Sequence, residues 1–317
     1  MNASDTYALA VHAGAGNDIP GEAPPGTEDE RRSALLAALR EGEAILQAGR
    51  TAVDAVVHAV VALEDCPLFN AGKGSVLAAD GTVEMDASVM DGATGRAGGV
   101  STVTTLRNPV LAAQAILRHS PHAILCGPGA ETFAAAHGLA REDNAWFRTP
   151  HRIDQLRRAK ERGAGQERES TGTVGAVARD RLGNLAAATS TGGMTNKALG
   201  RVSDSSIPGA GVWARNGIVA VSCTGTGDDF IRNATAYEIE ALVAHRGRGL
   251  AEACNEALQR IAAQAGNGGV IAVDAGGAIA AVRAADHMAW ASVREGEDPA
   301  SGLGSAGPVR YETGAGA

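Results

Sequence analysis

The sequence predicts an α+β fold in which helix layers cover sheet layers, and three observations carry that reading. Strand-like and helix-like runs come in clusters and do not alternate strictly, which favours stacked layers over a doubly wound sheet. Hydrophobic residues make up 44% of the chain but aromatics only 3%, so the core must be built from Ala, Val, Leu and Ile. The 42 glycines suit tight turns and close backbone approaches between layers. At 317 residues the core is large enough to fold without staples.

An apolar run over residues 7–11 predicts a strand, followed by a tight turn at His12-Ala13-Gly14-Ala15-Gly16. That turn lacks the G-x-G-x-x-G pattern, and the Pro/Gly loop after it (17–26) is no helix start, so a phosphate cradle is not indicated. Thr27 with Glu30 three residues on has capping-box spacing, and Leu35, Leu36, Leu39, Ile45 and Leu46 predict an amphipathic helix that ends at Gly49. A second helix starts at Thr51 and runs to about Glu64, both helices covering a sheet face. Gly72-Lys73-Gly74-Ser75 superficially offers a nucleotide loop. Pro67 stands where a P-loop needs its first Gly, and Gly74 where it needs Ser or Thr, so that reading is rejected. Strands are expected over 83–90 and 98–105, a helix from Asn108-Pro109 to about His119, and a short helix over 130–137.

Residues 157–170, charged and Gly-containing with almost nothing to bury, read as a mobile linker. It divides the chain into 1–172 and 173–317. Beyond it, strands are expected over 174–178, 185–189 and 218–223, helices over 230–245 and 250–265, and strands over 270–273 and 278–282.

The linker delivers the chain to Gly172-Thr173-Val174-Gly175, a threonine at the start of a strand. A Thr hydroxyl is a weak nucleophile at neutral pH unless a base stands beside it. The α-amine of an N-terminal Thr, with a pKa near 8, supplies such a base. The chain would therefore have to be cut before Thr173, by an N-to-O acyl shift of the flexible Gly172 carbonyl onto the Thr173 hydroxyl. Taken alone, the tetrapeptide reads better as a plain turn entering a strand. Three hydroxyl-rich segments downstream, around Thr191, Ser203 and Thr224, strengthen the nucleophile reading.

Other classes find little support. The net charge is −8 and no basic stripe is interleaved with aromatics, which argues against nucleic-acid binding. Cys66, Cys126, Cys223 and Cys254 are widely spaced, without the Cys-x-x-Cys pairs of a zinc ribbon, and read as small hydrophobes. No segment has the length of a membrane span or the form of a signal peptide, so a cytoplasmic protein is expected. A Ser/His/Asp hydrolase using Ser88 or Ser190 with His12 lacks a G-x-S-x-G elbow.

The motifs His12 to Gly16, Cys66-Pro67-Leu68-Phe69-Asn70-Ala71-Gly72, Met85 to Gly92, Gly172 to Gly175, Thr189 to Lys197, Gly200 to Ser205, Gly209 to Gly211 and Cys223 to Gly227 occur in order along the chain. Together they resemble the plant-type L-asparaginase/isoaspartyl peptidase family of N-terminal-nucleophile hydrolases. The resemblance implies a four-layer αββα sandwich, self-cleavage between Gly172 and Thr173, and a homodimer of αβ units. It implies Thr173 as nucleophile and base, oriented by Thr191. Arg201 would hold the substrate α-carboxylate, Asp204 and the Gly227 carbonyl the ammonium, and Thr224 with the Gly225 N–H the oxyanion. Asn70 would support the nucleophile region. Substrates would be L-asparagine or β-aspartyl dipeptides, hydrolysed to L-aspartate without a catalytic cofactor. A structural sodium ion would sit on the backbone carbonyls of Leu63, Glu64, Cys66, Phe69, Ala71 and Lys73.

Taken singly, these residues have plainer readings: Arg201 and Asp204 as a surface ion pair, Thr191 and Thr224 as strand-end threonines, Asn70 as a turn cap. Asp228, Ser203 and Arg283 to Met288 depart from the family pattern, the last in place of a commonly polar segment on the leaving-group side. An inactive, non-processing paralogue that only binds is the alternative function.

Overall fold

The computed structural model describes residues 6–17, 24–162 and 172–303. Two sheets face each other. The larger has strand order β12-β11-β1-β5-β6-β2-β3-β4, comprising β1 (Ala8–Gly16), β2 (Met85–Asp91), β3 (Ala97–Val103), β4 (Ile124–Cys126), β5 (Val174–Arg179), β6 (Leu185–Thr191), β11 (His287–Arg294) and β12 (Ala300–Gly302). All its pairings are antiparallel except β3 with β4. The smaller, antiparallel sheet runs β10 (Ile279–Ala284), β9 (Gly268–Asp274), β8 (Val219–Gly225), β7 (Val212–Arg215). Helices α1 (Glu28–Gln47), α2 (Ala52–Glu64) and α3 (Pro109–His119) cover the outer face of the large sheet, and α8 (Thr235–Arg246) and α9 (Leu250–Ala263) that of the small one. The result is the αββα sandwich.

Period-two strand geometry builds this layering. On β1, Leu9 and Val11 point into the helix-side core while Ala8 and Ala10 point between the sheets. On β8, Val219 and Val221 meet α8 and α9 while Ala220 faces the other sheet. The layer between the sheets is rich in alanine (Ala8, Ala10, Ala187, Ala214, Ala220), which accounts for the scarcity of aromatics.

The capping box at Thr27 and Glu30 is formed, and Thr51 caps α2 through the Asp54 N–H. Several expectations need correction. His12 to Gly16 is not a turn closing a strand: β1 continues through it, with a register shift between His12 and Ala15. The single helix expected over 230–245 is two, α7 (Gly227–Asn233) and α8, broken at Ala234 with φ of 47°. The linker starts later than its charge suggested. Residues 157–162 are the last turns of α6 (Pro150–Arg162), where Arg157 pairs with Asp154 and Glu161. Its remainder, 163–171, lies outside the described residues. Strands β4, β7, β11 and β12 and the helices α5 (Asn144–Phe147) and α6 are not anticipated from the sequence, α6 because the residues it buries are mostly polar (Arg152, Gln155 and Leu156).

Candidate active site

Thr173 is buried at the entrance to β5, the strand between β1 and β6. Its Oγ1 donates to Thr191 Oγ1 at 3.1 Å, at the end of β6. Thr191 Oγ1 also accepts the Gly193 N–H at 2.9 Å and stands 3.5 Å from the Gly172 carbonyl oxygen. That carbonyl receives a stronger donor, Asn70 Nδ2 at 2.7 Å, and the same amide reaches Gly193 O at 2.8 Å. Asn70 is itself oriented by the Val76 N–H, 2.9 Å from its Oδ1. A side chain at Gly14 would sit 2.7 Å from Gly172 Cα, so the bulged part of β1 needs glycine to approach the Gly172-Thr173 bond. Gly172 has φ of 90°, a conformation that favours glycine.

Beneath Thr173, a polar chain crosses between the sheets: His12 Nε2 to Ser222 Oγ at 2.9 Å, Ser222 Oγ to Thr189 Oγ1 at 2.8 Å, and Thr189 Oγ1 to Gly211 O at 3.2 Å. Burial pushes the His12 pKa down to about 3, only partly opposed by a hydrogen bond with the Thr173 backbone. His12 is therefore a neutral structural imidazole at physiological pH. Ser190 instead donates to Glu64 Oε1 at 2.6 Å, and Ser88 to the Ser205 carbonyl, so neither serine has His12 as its base.

The second cluster gathers Arg201, Asp204 and Gly227. Asp204 is buried at 3% exposure, which overturns the surface ion-pair reading. Arg201 makes its salt bridge with Asp228, Nη2 to Oδ2 at 2.6 Å. A side chain at Gly227 would meet Asp204 Oδ1 at 2.5 Å and Arg201 Nη2 at 3.0 Å, so glycine leaves open the space between carboxylate and guanidinium. Burial raises the Asp204 pKa to about 7 while the Arg201 charge works against it. Asp204 Oδ2 is buried without a hydrogen-bond partner among the described residues.

Thr224 and Gly225 end β8. Thr224 Oγ1 accepts the Ala15 N–H at 3.2 Å, which leaves its own proton available to donate. Gly225 has φ of 143°, and a Cβ there would run into the 267–268 backbone. Gly14 and Ala15 thus connect Thr224 to the Gly172-Thr173 bond. Gly193 connects the two clusters: its N–H meets Thr191, its carbonyl meets Asn70, and a Cβ on it would lie 3.2 Å from Arg201 Nη1.

Sequence reasoning assigned no role to several supporting residues. Lys197 buries its ammonium against Glu84 O at 2.7 Å and Gly192 O at 2.9 Å, fixing the Thr191–Gly193 turn; burial lowers its pKa against the pull of Asp86 and Glu84. Asp86 accepts the N–H groups of Ser203 and Thr102 at 2.7 and 2.8 Å, holding the segment that carries Arg201 and Asp204. Both lie inside quoted motifs, yet only tertiary pairing reveals what they hold.

Among the described residues no group of three or more His, Cys, Asp or Glu is placed to hold a metal. The loop after α2 has a different character. Gly72, with φ of 49°, packs against the Glu64 carbonyl, and Gly74 against the carbonyls of Phe69 and Pro67, so neither position has room for a side chain. Backbone carbonyl oxygens are ligands for hard cations, not for transition metals that prefer nitrogen or sulfur.

Comparison with known proteins finds relatives along almost the whole chain. The sequence profile of a family described as asparaginase matches residues 5–302. The chain is 47% identical over 307 residues to an isoaspartyl peptidase of Salmonella typhimurium, covering 93% of this chain and 97% of that protein. It is 47% identical over 305 residues to an isoaspartyl peptidase of Escherichia coli, covering 93% and 95%. It is 41% identical over 297 residues to a human isoaspartyl peptidase/L-asparaginase, covering 91% and 94%.

Proposed function

The chain belongs to the asparaginase family, and from that premise we propose that it is a self-cleaving threonine-nucleophile hydrolase that releases L-aspartate from L-asparagine and β-aspartyl dipeptides. The observation that carries this reading is the Gly172 carbonyl oxygen held by Asn70 beside the buried Thr173 hydroxyl. In the uncut chain that hydroxyl attacks the Gly172 carbonyl carbon. The oxygen becomes an oxyanion within reach of the Asn70 amide, the C–N bond breaks, and the Thr173 nitrogen takes a proton to become a free amine. Water then hydrolyses the Gly172 ester on Thr173 Oγ1, leaving chains 1–172 and 173–317.

The freed amine is the base for the second chemistry. Arg201 binds the substrate α-carboxylate, Asp204 and the Gly227 carbonyl the ammonium. Thr173 Oγ1 attacks the β-carbonyl carbon as its proton passes to the amine, and Thr224 Oγ1 and the Gly225 N–H receive the oxyanion. Ammonia, or the amino group of a leaving amino acid, departs with that proton. Water, deprotonated by the same amine, resolves the β-aspartyl ester to L-aspartate. Thr191 orients the nucleophile throughout.

The loop carbonyls of Leu63, Glu64, Cys66, Phe69, Ala71 and Lys73 would hold a structural sodium ion that stiffens the segment carrying Asn70; the ion takes no part in the reaction. The working unit would be a homodimer of αβ units in the cytoplasm. Among the described residues no helix is long and apolar enough to cross a membrane.

Intact mass of denatured protein, fresh and after incubation, tests the reading. Two species matching 1–172 and 173–317, followed by aspartate release from L-asparagine or a β-aspartyl dipeptide, is the expected result. A single uncut mass that persists for days would assign the chain to the non-processing alternative.

A further inference from the structure

The guanidinium of Arg201 holds a carboxylate of its own chain: Asp228 Oδ2 lies 2.6 Å from its Nη2. Asp228 is the second residue of α7, next to Gly227, the glycine whose missing side chain opens the space between Arg201 and Asp204. The Asp228 side chain is 42% exposed against 15% for Arg201, so one partner is free to swing towards solvent while the other is fixed. On its other side, Arg201 Nη1 faces Gly193, where glycine again leaves room. A planar guanidinium presents its donors as a fork that fits one carboxylate at a time on each edge. The space that Gly227 leaves open borders Nη2, the nitrogen Asp228 holds, so an α-carboxylate entering there contends for the same edge of the fork.

Resting on the functional reading above, we propose that Asp228 is an internal competitor for the substrate α-carboxylate: it occupies Arg201 in the empty site and must yield when substrate or product L-aspartate binds. The competition costs ground-state affinity and speeds product release. It acts through Arg201 alone, so Asp228 sets KM and product inhibition and takes no part in bond making. Its effect is confined to ligands that carry the α-carboxylate. An exposed ion pair contributes little free energy, which limits the effect to a few-fold.

The test compares fully processed wild-type protein with Asp228→Asn, Asp228→Ala and Asp228→Glu, using L-asparagine, a β-aspartyl dipeptide and β-alaninamide, which is asparagine without its α-carboxylate. For Asp228→Asn and Asp228→Ala, KM for L-asparagine and the inhibition constant of L-aspartate should fall about threefold to fivefold. kcat should stay or drop slightly, and kcat/KM for β-alaninamide should not change. Asp228→Glu, which keeps a carboxylate on the same helix, should return KM towards wild type. An unchanged or higher KM in Asp228→Asn, or an equal gain with β-alaninamide, would overturn the proposal and make Asp228 a support for Arg201 or a general charge effect. Wild-type protein without turnover on L-asparagine or the dipeptide would instead refute the underlying functional reading; L-aspartate binding by calorimetry would still decide the competition, since loss of the carboxylate must tighten it.

Discussion

Asn70 Nδ2 bridges two carbonyl oxygens, Gly172 O at 2.7 Å and Gly193 O at 2.8 Å, so one amide ties the Gly172-Thr173 junction to the turn that follows Thr191. Replacing it by Asp exchanges a donor for a repelling carboxylate; replacing it by Leu keeps the bulk and removes the donor. Loss of an oxyanion donor typically costs about two to three orders of magnitude in rate. Both variants should self-cleave at least about a hundredfold more slowly, followed as the conversion of full-length chain into two bands. A wild-type rate in a folded Asn70→Leu protein would remove Asn70 from the self-cleavage machinery.

The carboxyl of Asp204, raised by burial to about 7, predicts a pH dependence. Only its ionised form attracts a substrate ammonium, and a bound ammonium favours that form. Below pH 7 each binding event must first expel a proton, so KM for L-asparagine should rise as pH falls through about 7, by up to about tenfold per unit well below it. Asp204→Asn should bind poorly at every pH and lose that dependence. Steady-state kinetics across the range decide the point: a KM that is flat through neutrality would mean Asp204 is not the ammonium's partner.

Much of this was legible in the sequence because it is local. Thr27 with Glu30 is a capping box in letters and in space, and the apolar stripes of α1 and α2 are visible as periodicity. The setting of Thr173 is local too, with Gly172 before it and β5 after it as immediate neighbours in the chain. What failed to show is non-local. Nothing near Asp228 indicates that it will meet Arg201, since their contact across 27 residues depends on how the segment before the short 3-10 turn Asp204–Ser206 packs against α7. Ala234 reads as a good helix former, yet it adopts a left-handed conformation and splits α7 from α8 because the Ala236 and Tyr237 N–H groups are taken by the 209–210 carbonyls. Strand β11 pairs with β1 from the far end of the chain and carries the edge strand β12 on its other side, and pairing partners at that separation leave no mark on local pattern.

Gly175 faces the polar chain between the sheets, where a Cβ would lie 2.5 Å from His12 Nε2, 2.9 Å from Ala188 O and inside Ser222 Oγ. Strands β1, β5 and β8 meet there, and none can withdraw without breaking its ladder. Overpacking of this kind costs about 1–3 kcal/mol or more. Gly175→Ala should lower the denaturant midpoint accordingly and slow self-cleavage two residues upstream; equal stability of variant and wild type would mean the sheets separate more easily than their packing implies.

Glu64 sets the last expectation. Its carboxyl is fully buried between α2, β6 and α3, accepting from Ser190 Oγ at 2.6 Å and from the Val110 N–H at 3.1 Å. Burial raises its pKa from 4.5 to about 8, these hydrogen bonds pulling the other way. A group whose folded pKa lies above its unfolded value stabilises the protein fully below the unfolded pKa, and that stability is lost as pH rises through the folded one. Stability should therefore decline between about pH 4.5 and 8, by on the order of a few kcal/mol, and level off beyond. Glu64→Gln keeps the shape and most of the hydrogen bonds without the ionisation. It should melt close to wild type near pH 5 and several degrees higher near pH 9. If the two proteins lose stability in parallel across that range, Glu64 is ionised in the folded chain, and its hydrogen bonds outweigh its burial.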